Sequence, residues 1–154
     1  MNIVNSKATY EYDILDRFEA GVVLTGSEVK SLRGGHAKLD GSYVKIIGAE
    51  AFLVNAHIFP YSFARPPAGG EGYDPKRTRK LLIHKKELIS LQGKIDGAHL
   101  TLIPLSWYTT GHRLKLQVGL GRGKKQYEKR EKKRREDQKR ELERDFRGKV
   151  KLRR

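Results

Sequence analysis

The chain is 154 residues long and carries 33 Lys and Arg against 18 Asp and Glu, a formal charge of +15 at pH 7. It contains no cysteine, so disulfides, thiolate metal sites and thiol nucleophiles are excluded. Such a positive field concentrates polyanions, with nucleic acid expected ahead of an anionic membrane surface. The amino-terminal segment has no apolar h-region, and no run approaches the roughly eighteen apolar residues of a membrane span, so a soluble, cytoplasmic, non-exported protein is expected.

The charge divides the chain. Residues 1–120 hold 16 basic and 11 acidic side chains, whereas residues 121–154 hold 17 and 7, a surplus of ten in the last 34 residues. That tail has only Tyr127, Leu142, Phe146, Val150 and Leu152 as sizeable apolar side chains, too few for a core of its own. The organisation expected is a domain over 1–120 followed by a basic tail over 121–154.

In chain order, Tyr10, Tyr12 and Ile14 alternate with Thr9, Glu11 and Asp13, which predicts a half-buried strand. Ala20 to Leu24 continues as a short apolar run. Thr25-Gly-Ser-Glu28 has the spacing of a capping box, so a helix of about two turns is predicted up to Leu32 or Arg33, stopped by Gly34 and Gly35. Ser42 to Ile47 and Phe52 to Ile58 predict a hairpin turning at Gly48, Ala49 and Glu50. A Pro/Gly-rich stretch between Tyr61 and Lys76 reads as a mobile loop. Arg79 to His84 is another strand. Lys85 to Leu91 predicts a second short helix ended by Gly93. Leu100 to Tyr108 and Arg113 to Leu120 pair across Thr109, Thr110 and Gly111. Six or seven short strands with little helix predict a mainly β fold: a closed or partly closed antiparallel barrel of the oligonucleotide-binding (OB) type.

From Tyr127 to Arg147 there is no Gly or Pro, and Glu128–Lys132, Glu131–Arg135, Glu136–Arg140 and Glu143–Arg147 stand at i,i+4 with the acid first. Such pairs contribute about 0.2–0.5 kcal/mol each. A tail disordered when free and helical against a surface is therefore expected, with Leu142, Phe146 and Val150 forming a thin apolar stripe.

Little supports catalysis. His36, His57, His84, His99 and His112 lack ligand spacing, so no metal or cofactor is expected. Gly119-Leu-Gly-Arg-Gly-Lys-Lys125 fails the Walker pattern and reads as a flexible hinge whose lysines can still meet phosphate. Asp74-Pro-Lys-Arg-Thr-Arg-Lys80 puts basic residues on a Pro-fixed loop beside Tyr61 and Tyr73, the mixture of charge and stacking surface used on irregular RNA. On residue chemistry alone, Glu28 reads as a local cap.

The run Glu19-Ala-Gly-Val-Val-Leu-Thr-Gly-Ser-Glu-Val-Lys-Ser-Leu-Arg33, with Asp40-Gly-Ser-Tyr-Val44, Asn55-Ala-His-Ile58, Arg77-Thr-Arg-Lys-Leu-Leu82 and Gly123-Lys-Lys-Gln-Tyr-Glu-Lys-Arg130, closely resembles the SsrA-binding protein (small protein B) family. The resemblance implies a non-catalytic protein with an OB-type barrel, acting as a monomer on its RNA. Its partners would be transfer-messenger RNA, which it delivers to stalled ribosomes for trans-translation, and the ribosome itself, with no role at a membrane. It implies a surface for the tRNA-like domain at Asn5, Lys7, Glu28, Lys30, Arg33, Arg77, Arg79, Lys80 and Leu82. It also implies a tail that enters the decoding region in place of a codon–anticodon pair, through Gly123, Lys124, Lys125, Tyr127, Lys129 and Arg130. There Tyr127 would stack on a ribosomal base. The N-terminal motif departs from the family at Ser6, where a basic residue is usual. The distal tail lacks the family's Trp, which leaves anchoring to Leu142 and Phe146. The alternatives on charge and pattern are a general single-stranded RNA-binding barrel, such as an RNA chaperone or initiation-factor-like module, and a basic membrane-surface protein.

Overall fold

The structure is a computed structural model that describes residues 1–63, 72–124 and 126–152; in its last helix the side chains of 129–147 are described. The elements run β1 (Asn2–Val4), α1 (Ser6–Glu11), β2 (Tyr12–Val22), α2 (Gly26–Arg33), β3 (Ala37–Lys38), β4 (Tyr43–Ile47), β5 (Glu50–Val54), β6 (His57–Ile58), β7 (Arg79–Leu82), α3 (Lys85–Ala98), β8 (Thr101–Thr110), β9 (Arg113–Gly123) and α4 (Gln126–Leu152). Two compact units result, Met1–Gly123 and Lys124–Arg154. None of the helices among the described residues is long and apolar enough to cross a membrane.

In the first unit every strand pairing is antiparallel, in the order β1-β8-β4-β5-β7-β2-β9, and β9 pairs again with β8. The ring is a partly closed barrel, because its two thinnest seams are Val44↔Leu102 between β4 and β8 and Gly21↔Leu82 with Val22↔Leu81 between β2 and β7. The predicted hairpins are both present. β4 and β5 meet across Gly48 and Ala49, with Gly48 at φ +62, a conformation that glycine adopts without a Cβ clash. β8 and β9 meet across Gly111 and His112. The strand expected to run from Phe52 to Ile58 breaks after Val54, and His57–Ile58 leaves the barrel to pair with β3.

The core follows from alternation along these strands. Trp107, Leu53, Leu116 and Val118 point inward, and α2 and α3 close the core with Leu32, Leu88 and Leu91. β2 and β8 each carry a bulge, at Ile14/Asp16 and Pro104/Ser106, which lets long strands curve and lets a proline sit within a ladder.

Three expectations are corrected. Thr9 to Glu11 belong to helix α1, and the strand starts at Tyr12. The Asn5 backbone N–H donates to the Leu105 carbonyl, after which the chain turns so that Ala8 packs on Ile103 and Leu105. Burial of that one methyl overrides the period-2 pattern. Helix α3 runs through Gly93 to Ala98 and stops at His99, which is left-handed at φ 51. Gly93 is exposed and open to solvent, so it costs only its propensity of about 1 kcal/mol, while Ile95 one turn beyond Leu91 extends the packed face. Gly119 and Gly121 are not a hinge. They are buried in β9, where a Cβ at Gly119 would lie 2.9 Å from Leu105 Cδ1 and one at Gly121 would lie 3.2 Å from Ile103 Cδ1. Glycine there makes room for the small cluster formed with Ala8. Most of the expected loop, residues 64–71, lies outside the described residues, as do Lys125 and the side chain of Tyr127.

The second unit is one helix, α4. Glu131 and Arg135 pair at 3.0 Å, one of the expected i,i+4 pairs, whereas the Glu128 and Val150 side chains lie outside those described. Leu142 and Phe146 are each 70% exposed.

Candidate RNA interface

Helix α2 is built as its sequence dictates. Thr25 Oγ1 accepts from the Glu28 N–H, and Glu28 Oε1 accepts from the Thr25 N–H at 3.0 Å, completing the capping box. The same carboxylate has further partners about fifty residues away. Arg77 Nη2 donates to Oε1, and Arg79 Nε donates to Oε2 at 2.6 Å.

Along β7 the side chains alternate: Arg79 and Leu81 point inward, Lys80 and Leu82 outward. Arg79 is fully buried, and all of its donors are used. Nε goes to Glu28, Nη1 to the carbonyls of Ala56 and Arg77, and Nη2 to Tyr73 Oη and the Pro75 carbonyl. Tyr73 in turn donates to the Ile58 carbonyl at 2.9 Å. A buried cation and a buried anion thus tie α2, the segment after Val54 and the segment before β7 into one frame. Burial alone would raise the Glu28 carboxyl; the Thr25 N–H and the two guanidinium groups outweigh it and hold the group below the usual carboxylate range. Burial, reinforced by the Glu28 carboxylate, pushes the Tyr73 phenol up.

Above this frame opens a groove of about 800 Å³. Its floor includes Val22, Leu24, Val29, Leu82 and Leu114, and its rim carries Arg33, Lys80, Arg113 and Lys115 with His84 and His112. Arg33 Nη2 donates to the His112 carbonyl at 2.9 Å, joining the end of α2 to the β8–β9 turn. Lys80 meets Glu50 at 3.2 Å and Lys115 meets Glu19 at 3.4 Å, so the rim keeps a surplus of positive charge. Glu19 also accepts from the Tyr108 hydroxyl, and burial followed by this bond pushes the Tyr108 phenol up to about 12. An apolar floor with a cationic rim suits nucleotides, with bases below and phosphates at the edge.

The nine barrel residues carried over from the family resemblance do not share one surface. Arg33, Lys80 and Leu82 line the groove, with Leu82 56% exposed. Lys30 is exposed one turn earlier on α2, and Lys7 is exposed on α1. Arg77 is partly exposed. Glu28, Arg79 and Asn5 are buried; Asn5 Nδ2 donates to the Pro104 carbonyl and pins β1 to β8. The Tyr73 hydroxyl is drawn into the frame, while its ring is half-buried. Sequence reasoning missed Arg113, Lys115 and His112 as rim residues, although their place in the predicted β8–β9 hairpin was the available signal. Among the described residues no cluster could hold a metal ion.

A family model described as "SmpB protein" matches residues 2–148. The chain belongs to the SmpB family. SsrA-binding proteins of Sulfurihydrogenibium sp. (strain YO3AOP1) and Aquifex aeolicus (strain VF5) are 49% and 45% identical to it, each over 96% of this chain and 95% and 92% of their own. The SsrA-binding protein of Microcystis aeruginosa is 49% identical over 87% of this chain and 86% of its own. A solved chain from the structure described as "tmRNA-SmpB: a journey to the center of the bacterial ribosome" superposes with a TM-score of 0.64 at 41% identity, covering 81% of this chain and 85% of that one.

Proposed function

We infer that the chain binds the tRNA-like domain of transfer-messenger RNA through its barrel and delivers it to stalled ribosomes for trans-translation. It acts as an RNA-binding protein in the cytoplasm, where ribosomes are, and not as an enzyme. The observation that carries this reading is the family match over residues 2–148, which takes in the barrel and most of the tail. The superposable chain comes from a transfer-messenger RNA complex on the ribosome.

In mechanism, Arg33, Lys80, Arg113 and Lys115 meet phosphates at the groove rim, Leu82 offers the floor to a base or ribose, and Lys7, Lys30 and Arg77 add long-range attraction. Glu28, Arg79 and Asn5 are positioning residues that set the shape of this surface without touching RNA. Gly123 ends β9, and Lys124, Lys125, Tyr127, Lys129 and Arg130 after it belong to a tail disordered when free that becomes helical in the decoding region, where the Tyr127 ring stacks on a ribosomal base. Leu142 and Phe146 anchor its far end. The division at residue 120 moves to Gly123, since β9 runs that far.

Electrophoretic competition among transfer-messenger RNA, tRNA and unstructured RNA tests the reading. Preference for transfer-messenger RNA that survives moderate salt supports it. Equal competition by all three, with a steep salt slope, would leave only a general RNA-binding barrel.

A further inference from the structure

The geometry points to a second RNA contact outside the groove: His57, Phe59, Tyr61 and Phe63 form a stacking platform for unpaired nucleobases, with Lys30 and Lys38 as its phosphate partners. The chain leaves the barrel at Val54, pairs with β3 through His57–Ile58 and runs on to a turn at Ser62–Phe63, with a ring at each of positions 57, 59, 61 and 63. The rings are in contact in pairs. His57 and Phe59 centroids lie 4.4 Å apart at a 52° tilt, and Tyr61 and Phe63 lie 5.6 Å apart, edge to face.

Lys30 Nζ stands 5.6 Å from the Tyr61 ring centroid and Lys38 Nζ 5.9 Å from that of Phe59. Lys38 and His57 are direct partners in the β3–β6 ladder, which fixes one lysine beside the first ring. Phe59 is 37% exposed and Phe63 83%, so aromatic faces are open to solvent. The ring pairs thus each have one ammonium group beside them. Core packing does not explain them, because Phe59 is held by its backbone, whose carbonyl accepts from Ser31 Oγ at 2.6 Å and whose N–H donates to the His36 carbonyl.

Bases have two flat faces and no requirement for sequence, and aromatic side chains bind them by stacking while nearby cations take the phosphates. A protein partner would meet the same rings, but the lysines beside them favour a polyanion. Lys30 lies on the same helix as the groove residue Arg33, one turn away and about 4.5 Å along the axis. The inference rests on RNA being the partner, but not on which RNA.

The test uses the full chain with a short single-stranded oligouridylate carrying 4-thiouridine, irradiated and mapped by mass spectrometry, together with affinities for that oligomer and for a blunt RNA duplex. Cross-links are expected in the 57–63 segment. A Phe59→Leu/Tyr61→Leu variant should lose single-strand affinity by roughly five- to a hundredfold for each base unstacked, and keep its duplex affinity. Tyr61→Phe should retain the affinity of the unaltered chain. Arg33→Ala/Lys80→Ala should do the opposite, weakening transfer-messenger RNA binding while leaving the cross-links in place, so failure of the groove and failure of the platform give different results. Cross-links confined to other segments of the unaltered chain, or an unchanged single-strand affinity in the double variant, overturn the inference. Loss of self-association in place of RNA affinity would overturn it too and assign the rings to a second copy of the chain.

Discussion

Among the described residues glutamate meets arginine in two places, in the frame around Glu28 and along α4, and the two do different work. In the frame Glu28 and Arg79 have no exposed side-chain surface and every guanidinium donor is satisfied. In α4 the Glu131–Arg135 pair is 53% and 75% exposed. Buried charge fixes geometry; exposed charge stays available to a polyanion. Ten of the 15 net positive charges lie in residues 121–154, whose described side chains are mostly exposed, while the buried Glu28–Arg79 pair offers none.

Mutation should separate the two sharply. Arg79→Ala leaves Glu28 buried without its one fully buried cationic partner and should cost about 3–5 kcal/mol in urea denaturation, with RNA binding falling only as far as the fold does. A smaller loss would mean that water or Arg77 fills in. Thr25→Ala removes only one side of the capping box and should cost about 0.5–2 kcal/mol, leaving the carboxylate in the frame and RNA affinity nearly intact. If Thr25→Ala and Glu28→Ala lost affinity equally, the helix end and not the frame would control the surface. Arg135→Ala should change stability by no more than about 0.5 kcal/mol, and added salt should erase even that.

Acid sharpens the same contrast. The folded-state Glu28 carboxyl lies below its ordinary value, so its stabilisation is complete above the usual carboxylate range and is lost as pH falls through the depressed value. Urea unfolding between pH 7 and pH 3 should show the unaltered chain losing stability over Glu28→Gln, which starts less stable and falls less. Parallel pH curves would remove Glu28 as the source.

How much of this was legible depended on distance along the chain. The capping box spans four residues and could be read directly from Thr25 and Glu28, as could the hairpins at Gly48 and Gly111, because turn chemistry is local. The partners that decide what Glu28 does, Arg77 and Arg79, lie 49 and 51 residues away, and a basic cluster looks the same whether alternate members point in or out. Only the β7 register decides that. Local pattern misled at Thr9 to Glu11, where an alternation of six residues was outweighed by one buried Ala8. It misled again at Gly119 and Gly121, where close packing against Leu105 and Ile103 required the glycines that a composition reading takes for a hinge. His57, Phe59, Tyr61 and Phe63 gave an every-second-residue signal, but His57 was absorbed into a strand expected to end at Ile58 and only Tyr61 was read as a stacking surface.

The division of labour between barrel and tail is tested most directly by peptidyl transfer to transfer-messenger RNA on ribosomes stalled at the end of a message, using a chain that ends at Gly123. Ending there keeps Gly121–Gly123 paired with Tyr12–Ile14, whereas ending at Leu120 would strip those pairs from the barrel. The account predicts a folded protein that still shifts transfer-messenger RNA in a gel but supports no transfer. Full transfer without the tail, or a folded truncation that no longer binds the RNA, would contradict it.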